Sequence, residues 1–390
     1  MAKYGPHLER LAAVAASSRL VAIGGTRDFE GAAASRVVLL SHGKGKAVTA
    51  EVAGAATALA FCGNDLLLVG TSGGQVFGLD ASGEASAALL SVDLSPGAAV
   101  TSLAVRPGKD GFAATTANGA LHLVGLAMKE ATPQVTSRAS RQLCERALHA
   151  VAFDPAGLVV AGGEDGLWAL SLSGFETAAP RAMVTGGEGG VRAVLSLEDG
   201  RVAVGYGDGS LRLCYLVGDV DAQDRSGEHA HTAAVRALLL GPVLKTATGG
   251  ASTENRRLFS LGEDGAVKSW EYDSKRRPRT VELSAGTPSA MALWAGAVRG
   301  VEGAAGQLFV VTRARKLVTL TLGSEAELPE SGEVLDSEFE RLAADLADHK
   351  PKAQQARQTA VAALEGHAED DARVLLDGVL TGDPAPELRT

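Results

Sequence analysis

The sequence has few aromatic residues, few cysteines and no long apolar run, and each shortage excludes a class of protein. Aromatic residues make up 4% of the 390 residues, whereas glycine occurs 48 times. Few aromatics and many glycines are typical of many short strands joined by tight turns. No apolar run approaches the roughly 18 residues of a membrane span, and no charged-then-apolar leader begins the chain. We therefore expect a cytoplasmic protein with no membrane partner.

The cysteines are too few and too scattered to build a site. Cys62, Cys144 and Cys214 are odd in number, far apart and without CxxC spacing. Neither a disulfide framework nor a zinc site is indicated. We interpret them as small buried side chains in a reducing compartment.

Excess positive charge is also lacking. The formal net charge is −9, and from Glu325 onward 16 acids face 6 bases, so the remaining chain carries about +1. A nucleic-acid binder normally presents a basic face. The near-neutral main body therefore argues against a nucleic-acid partner.

Motifs of common catalytic sites are missing. There is no P-loop, no GxSxG elbow and no HExxH. The best paired carboxylates, Glu164-Asp165 and Glu263-Asp264, each precede a glycine, where Asp usually caps its own turn. Adjacent side chains also point apart, unlike the facing carboxylates of a glycosidase. We interpret both pairs as turn residues and predict no catalytic residue and no cofactor.

The eight histidines are scattered along the chain. His122 and His149 lie inside strand-like runs, where satisfied structural histidines are commoner than ligands. His229 and His231 form an HxH pair that could hold a metal. The position of His231 in the repeat described next favours a structural role, and no metal site is predicted.

An apolar run, a polar turn and a second apolar run recur along residues 1–324. The clearest copy is "LFSLGEDGAVKSW", and "LVVAGGEDGLWALSL" and "RVAVGYGDGSLRLCYL" repeat its arrangement. Units of about 45 residues with strand periodicity are typical of β-propeller blades. We predict an all-β propeller of seven blades, whose turns are centred on Ser35, Gly74, Gly119, Gly166, Gly209, Gly265 and Arg315.

The sixth unit, "HTAAV" followed by "SLGEDGAVKSWEY", resembles a WD-repeat blade. In that family a histidine, a Ser or Thr, a turn Asp and a Trp form a hydrogen-bonded network. The resemblance implies that His231, Ser260, Asp264 and Trp270 form this structural network here. The other units depart from the pattern, because their Trp position holds Leu79, Val124, Ser171 and Cys214.

The chain beyond the propeller follows another pattern. Residues 325–336 read as an acidic linker, and residues 337–390 change to helical periodicity, with a capping box at Ser337 and Glu340. The last helices resemble HEAT-type repeats, and a generic helical bundle that caps the propeller is an equal alternative. We expect this segment to begin a longer solenoid or to be continued by a partner.

One basic run, "DSKRRPRT", is an open question. Lys275, Arg276, Arg277 and Arg279 could form a docking patch for an acidic partner, or a solvated connector between strands. Reversal of these charges with unchanged partner capture would exclude the docking patch.

WD-repeat propellers most often serve as non-catalytic platforms, so the resemblance implies a protein–protein interaction scaffold with protein partners. The alternatives are an enzyme or ligand sensor at the central channel, and a subunit that recruits targets to a separate ATPase or protease. A ring of His, Asp or Arg at the channel mouth would favour the sensor, whereas small apolar residues would favour the scaffold. Small residues are abundant in the first strands, at Ala58, Ala60, Ala104, Ala150, Ala152, Ala193 and Ala237. Alanine and glycine richness indicates a GC-rich bacterial genome.

Overall fold

All regular elements in the described part of the chain are β-strands. The computed structural model describes residues 10–26, 34–41, 47–82, 88–129, 132–183, 189–197, 200–216, 230–242, 244–248, 251–271, 278–296, 298, 301, 303–314, 316–329 and 333–334. The helices predicted for residues 337–390 lie outside these residues, so the HEAT-like segment stays a prediction.

The described strands form seven antiparallel sheets that follow one another along the chain as blades, and one separate two-stranded hairpin. Blade 1 contains β1 (Arg10–Ala16), β2 (Leu20–Thr26), β3 (Ala34–Ser41) and β4 (Ala47–Ala53). Blade 2 contains β5 (Ala56–Cys62), β6 (Leu66–Thr71), β7 (Gln75–Asp80) and β8 (Ala88–Asp93). Blade 3 contains β9 (Val100–Val105), β10 (Gly111–Thr116), β11 (Ala120–Lys129) and β12 (Thr132–Gln142).

The later blades repeat this order with one interruption. Blade 4 contains β13 (Leu148–Asp154), β14 (Leu158–Gly163), β15 (Gly166–Ser171) and β16 (Arg181–Met183). Blade 5 contains β17 (Val191–Ser196), β18 (Arg201–Tyr206) and β19 (Leu211–Tyr215). Blade 6 contains β20 (Val235–Leu240), β23 (Leu258–Gly262), β24 (Ala266–Trp270) and β25 (Arg279–Glu282), and its first two strands are separated by the hairpin β21 (Leu244–Thr248) and β22 (Ala251–Asn255). Blade 7 contains β26 (Pro288–Ala295), β27 (Gly306–Thr312), β28 (Leu317–Leu322) and β29 (Glu333–Val334).

The first strand of every blade is the innermost, and these strands close a ring. Each contacts the first strand of the next blade, and β26 of blade 7 contacts β1 of blade 1. Ser289 Oγ, in β26, donates a hydrogen bond of 2.9 Å to the carbonyl of Leu11 in β1. Ring closure explains how so many short strands avoid exposed inner edges.

The core lies between neighbouring blades rather than inside any one of them. Second strands such as β6, β10 and β23 are buried along their whole length, because each has a blade on either side. Glycines in these strands allow the close approach. A Cβ on Gly70 would lie 2.6 Å from Val100 of the next blade, and one on Gly205 would lie 2.5 Å from Val235. The seven-bladed all-β architecture predicted from the repeat is therefore confirmed.

Blade 7 uses chain that lies beyond residue 324. Ala326 and Leu328 are buried in the cluster between blades 6 and 7, and β29 pairs with β28. The described seventh sheet therefore includes residues that the sequence analysis placed in the acidic linker. Apolar side chains spaced through an acidic segment explain this packing, because each can insert into the sheet interface while the acids stay outside.

Candidate functional site

Blade 6 brings together His231, Ser260, Asp264 and Trp270. His231 Nε2 lies 2.8 Å from Ser260 Oγ, and Trp270 Nε1 donates to the same oxygen at 2.8 Å. On the other side of the ring, His231 Nδ1 lies 3.0 Å from Asp264 Oδ1. Because the indole can only donate, the chain of bonds runs in one direction: Trp270 to Ser260, Ser260 to His231 and His231 to Asp264.

The carboxylate of Asp264 also holds the backbone at two points on one end of the blade. It accepts hydrogen bonds from the backbone N–H of Thr232, at 2.9 Å, and of Ala266, at 3.1 Å. Thr232 precedes β20 and Ala266 begins β24, so one side chain joins the loop before the first strand to the turn before the third. The bond to Ala266 is the turn capping expected from the sequence, and the bond to Thr232 is additional.

Burial sets the protonation state of this network. Burial lowers the pKa of His231 further than the neighbouring Asp264 raises it, so the imidazole is neutral at pH 7. For Asp264 burial would raise the pKa, but the Thr232 N–H and His231 outweigh it and the pKa is lowered. A neutral ring with Nδ1–H directed at a carboxylate matches the direction of the hydrogen bonds.

Asp264, His231 and Ser260 have the connectivity of a Ser-His-Asp triad, but they cannot act as one. His231 and Ser260 are both 0% exposed, and the Ser260 oxygen already accepts the Trp270 N–H. A nucleophile must reach a substrate carbonyl beside an oxyanion site. Both groups are therefore enclosed in the blade, out of reach of a substrate.

Each innermost strand carries a β-bulge near the turn that joins the second and third strands, at the third residue of the strand in blade 1 and at the second in blades 2 to 7. In blade 5, for example, Val191 pairs with Tyr206 and Ala193 with Gly205, which leaves Arg192 unpaired. Bulges redirect side chains and locally end the strand pairing. The seven bulge residues are Ala12, Thr57, Thr101, His149, Arg192, Arg236 and Ser289.

Because the innermost strands surround the propeller axis, these residues encircle one mouth of the central channel. We call this end of the propeller, with the turns between second and third strands, the bulge face. In blades 2 to 7 the residue after the second strand donates its backbone N–H to the residue before the first, as Glu164 does to Ala147 and Glu263 to Ala234. This repeated bond fixes the turn beside the bulge.

On blades 4 and 5 the bulge face carries a cluster around Glu164. Its carboxylate bonds Arg146 Nη2 and lies 3.6 Å from Arg192 Nη2. Arg192 Nη1 donates to His149 Nε2 at 2.6 Å, and Arg146 Nη1 lies 3.2 Å from Asp165. Burial would raise the pKa of Glu164, but Arg146 and Arg192 outweigh it and the pKa is lowered. Burial and then Arg192 lower the pKa of His149, so its ring is neutral.

A second cluster on blades 6 and 7 surrounds Glu263. Its Oε1 accepts Arg236 Nε at 2.8 Å, accepts Arg236 Nη2 as well, and lies 2.9 Å from Arg313 Nη2. Arg236 of this second cluster also contributes to the lowered pKa of His149 in the first, after burial and Arg192. The positions that correspond to these on blades 2 and 3 are uncharged: Thr57, Ser72, Thr101 and Ala117. Among the described residues, charge at these positions is therefore found on blades 4 to 7 and not on blades 2 and 3.

Sequence reasoning missed this clustering. It treated Glu164 and Glu263 as turn residues, His149 as a strand residue, and gave Arg192 and Arg236 no role. The available signal was the polar second residue of the inner strands, as in "VRAVLS" and "VRALLL". What sequence could not supply was the side-by-side placement of successive blades.

The predicted docking patch is only partly described. Lys275, Arg276 and Arg277 lie outside the described residues, and Arg279 is exposed on β25. His229 also lies outside them. His122 is buried, with Nε2 3.3 Å from Ser95 Oγ, and lines a cavity of about 300 Å³ with Asp93, Arg138 and Glu176.

The described residues include no metal-binding group and no candidate membrane helix. No group of three or more His, Cys, Asp or Glu side chains there could hold a metal ion. Among the same residues, no helix has the length and hydropathy that a membrane span requires. Among the described residues, no two cysteines are joined by a disulfide.

The fold has counterparts among solved structures. No protein-family model matches the chain, and no curated protein matches its sequence. The structure of Sqt1 from Chaetomium thermophilum bound to the N-terminus of the ribosomal protein L10 is similar, with a TM-score of 0.60 at 16% identity over 83% of this chain and 87% of that one. A chain of the mitotic checkpoint complex has a TM-score of 0.59 at 15% identity over 82% of this chain and 90% of its own. These neighbours are WD-repeat proteins, and at such identity the likeness shows a shared propeller fold.

Proposed function

We propose that this protein is a non-catalytic protein-interaction scaffold whose docking surface is the bulge face of the propeller. The observation that carries the proposal is the set of charged side chains that spans four consecutive blades there. Arg146, Arg192, Arg236 and Arg313 are 61%, 26%, 35% and 41% exposed, and ion pairs with Glu164 and Glu263 hold them in place. Pre-positioned and solvent-accessible arginines are typical of interface anchors.

The structural neighbours support this reading. One of them was solved with a bound protein segment and the other as part of a protein complex. The polar network of blade 6 is buried, where it can stabilise the fold but cannot bind a partner. The exposed charged side chains of the bulge face remain available for partner contacts. Such a scaffold needs partners rather than a cofactor.

Affinity capture with paired variants tests the proposal. The tagged full-length chain and its Arg192→Gln/Arg236→Gln variant are used to capture partners from the source cell, and bound proteins are identified by mass spectrometry. The matched control is Arg19→Gln/Arg106→Gln, which removes the same charge from loops between first and second strands, at the other end of the propeller. We expect the bulge-face variant alone to lose partners. Equal capture by all three proteins would contradict the proposal.

A ligand sensor is the second candidate, because His149 and Arg192 lie 2.6 Å apart at the channel mouth. A small anion could bridge such groups. A rise in Tm with millimolar inorganic phosphate or succinate, lost in Arg192→Gln, would favour the sensor; no rise would favour the scaffold. The remaining alternative, recruitment to an ATPase or protease, would appear as that enzyme among the captured proteins.

The C-terminal segment enters this proposal only as a prediction. If residues 337–390 form HEAT-like helices, they would supply a second binding arm beside the propeller. Capture with a chain ending after residue 336 would then lose a different set of partners from the bulge-face variant.

A further inference from the structure

The bulge face presents one arginine from each of four consecutive blades. Arg146 precedes β13 of blade 4, Arg192 lies on β17 of blade 5, Arg236 on β20 of blade 6 and Arg313 follows β27 of blade 7. We call these four residues the arginine arc. The arc contains no lysine, and the planar guanidinium group matches carboxylates and phosphates in pairs of hydrogen bonds.

The arc has unused hydrogen-bonding capacity. Each guanidinium has five N–H donors. Arg192 donates two hydrogen bonds, to Gly189 and His149, and its Nη2 lies 3.6 Å from Glu164. Arg146 and Arg236 also donate two each, and Arg313 donates one. Most of the donors therefore make no hydrogen bond among the described contacts, while the groups themselves are already held in place. This combination lowers the entropy cost of binding an acceptor.

The hydrogen-bonding character of the arginine arc selects the chemistry of the ligand. Within the ion pairs of the two clusters, four guanidinium groups meet three carboxylates, of Glu164, Asp165 and Glu263. The carboxylates of Asp208 and Asp264 on the same face already accept hydrogen bonds, from Ser210 and from the backbone of Thr232 and Ala266. Glu164 and Glu263 are each bound by two arginines, so a basic partner would meet arginines before it met a free acid. Because guanidinium N–H groups can only donate, the donors that remain favour a partner that supplies carboxylate acceptors.

We propose that the arginine arc binds an acidic segment of a partner protein, with Asp or Glu carboxylates accepting the free guanidinium donors of successive blades. This inference rests on the proposed function and names the chemistry of the partner. A row of sites along four blades fits an extended chain better than a compact ligand. Carboxylates fit better than phosphates, because a dianion would meet three fixed carboxylates within the same clusters.

Binding of a labelled peptide tests the proposal directly. The probe is a fluorescein-labelled twelve-residue peptide of alternating Glu and Ser, and the matched peptides replace Glu by Gln, by Lys or alternate phosphoserine with Ser. We expect the Glu peptide to bind the full-length chain, and Arg192→Gln/Arg236→Gln to weaken it about tenfold for each charge-assisted bond lost. Arg19→Gln/Arg106→Gln is the control of equal charge and should leave Kd within about twofold.

A gain-of-binding variant separates recognition from folding. Glu263→Gln frees Arg236 and Arg313 from their shared carboxylate and should lower the Kd of the Glu peptide several-fold. An unfolded or distorted protein would not bind more tightly. The proposal is overturned if Glu263→Gln does not tighten binding, or if the bulge-face and control variants weaken it equally.

Other occupants give distinct results. Tighter binding of the phosphoserine peptide, or equal binding of the Gln or Lys peptide, would overturn the carboxylate assignment. The chain has its own acidic segments, at residues 217–229 and from Glu325 onward. If wild type binds no peptide but a variant with Asp219, Asp221, Asp224 and Glu228 changed to Asn or Gln does, the partner assignment fails in favour of this chain's own segment. If Arg192→Gln/Arg236→Gln loses captured partners but wild type binds no peptide, the proposed scaffold function is supported and only the acidic-partner proposal is overturned.

Discussion

Blades 4 and 6 contain the same turn, Gly-Glu-Asp-Gly, yet the two aspartates do different work. In blade 6 Asp264 is bound to His231 and two backbone N–H groups, and its side chain is 12% exposed. In blade 4 Asp165 lies on the surface, 35% exposed, opposite Arg146. The glutamates, by contrast, behave alike, since Glu164 and Glu263 both bind arginines of the bulge face.

The difference comes from residues outside the turn. Blade 6 has a histidine four residues before its first strand and Ser260 in its second strand, whereas the same positions in blade 4 hold Cys144 and Ala161. Without an imidazole to meet it, Asp165 turns outward to Arg146. The strand pairing differs too, because Gly163 pairs with Gly166 across a two-residue turn in blade 4. A turn motif therefore predicts local geometry, and its loop partner determines its role.

The largest expected effect comes from removing the two aspartates. Asp264→Ala strips the acceptor from the His231 Nδ1–H and from two backbone donors, and should lower the free energy of unfolding by about 2–4 kcal/mol. Asp165→Ala loses an exposed ion pair and should cost less than about 0.5 kcal/mol. Urea unfolding followed by tryptophan fluorescence measures both. Similar losses for the two variants would mean that the network contributes no more than the surface pair.

The next comparison exchanges the serine and alanine that distinguish the second strands. Ser260→Ala leaves the Trp270 N–H and the His231 Nε2 without a partner and should cost about 1–3 kcal/mol. Ala161→Ser buries a hydroxyl in blade 4 where no histidine awaits it, and should cost about 1–2 kcal/mol. If Ala161→Ser were neutral or stabilising, the new hydroxyl must have found a hydrogen-bond partner in blade 4, which would contradict this prediction. The same urea titrations give both values, with Ala203→Ser in blade 5 as a second buried site for comparison.

The propeller architecture was largely predictable from the sequence, whereas the charged clusters of the bulge face were not. Strand-turn-strand repeats such as "LFSLGEDGAVKSW" report local structure, so the all-β propeller followed from their spacing. Likewise, the proximity of His231 to Ser260 could be inferred because one blade contains both. The pairing of Glu164 with Arg192, and of Glu263 with Arg313, joins different blades, and its geometry depends on a bulge at the start of each first strand. No local pattern encodes that alignment.

The histidines provide a smaller, pH-dependent test of the same comparison. Burial lowers the pKa of His231, His149 and His122 below the ordinary value of about 6.5. The folded state therefore favours the neutral ring, its contribution is complete above pH 6.5, and stability falls as the pH drops below that value toward the folded pKa. Carboxylates with lowered pKa, Asp264 and Glu164, extend the loss to lower pH.

Measurement of Tm from pH 8 to pH 5 should therefore show a decline that begins near pH 6.5. His231→Gln should reduce the slope most, because protonation of His231 would direct a second ring N–H at Ser260, whose hydroxyl would lose its acceptor. His149→Gln should reduce it less, because that ring is only partly enclosed, 21% exposed beside Arg192. A flat profile down to pH 5 in the wild type would contradict the neutral-ring network.

The smallest effect on stability should come from the arginine arc itself. Arg146 is 61% exposed and Arg313 41%, so their ion pairs compete with water and are screened by salt. Arg146→Gln and Arg313→Gln should each change the free energy of unfolding by less than about 0.5 kcal/mol, far below the change expected for Asp264→Ala. The measurement is urea unfolding at low and high salt. If the arc contributes so little to stability, its alignment over four blades is better explained by partner binding. A loss of several kcal/mol in either variant would instead indicate that these arginines stabilise the fold.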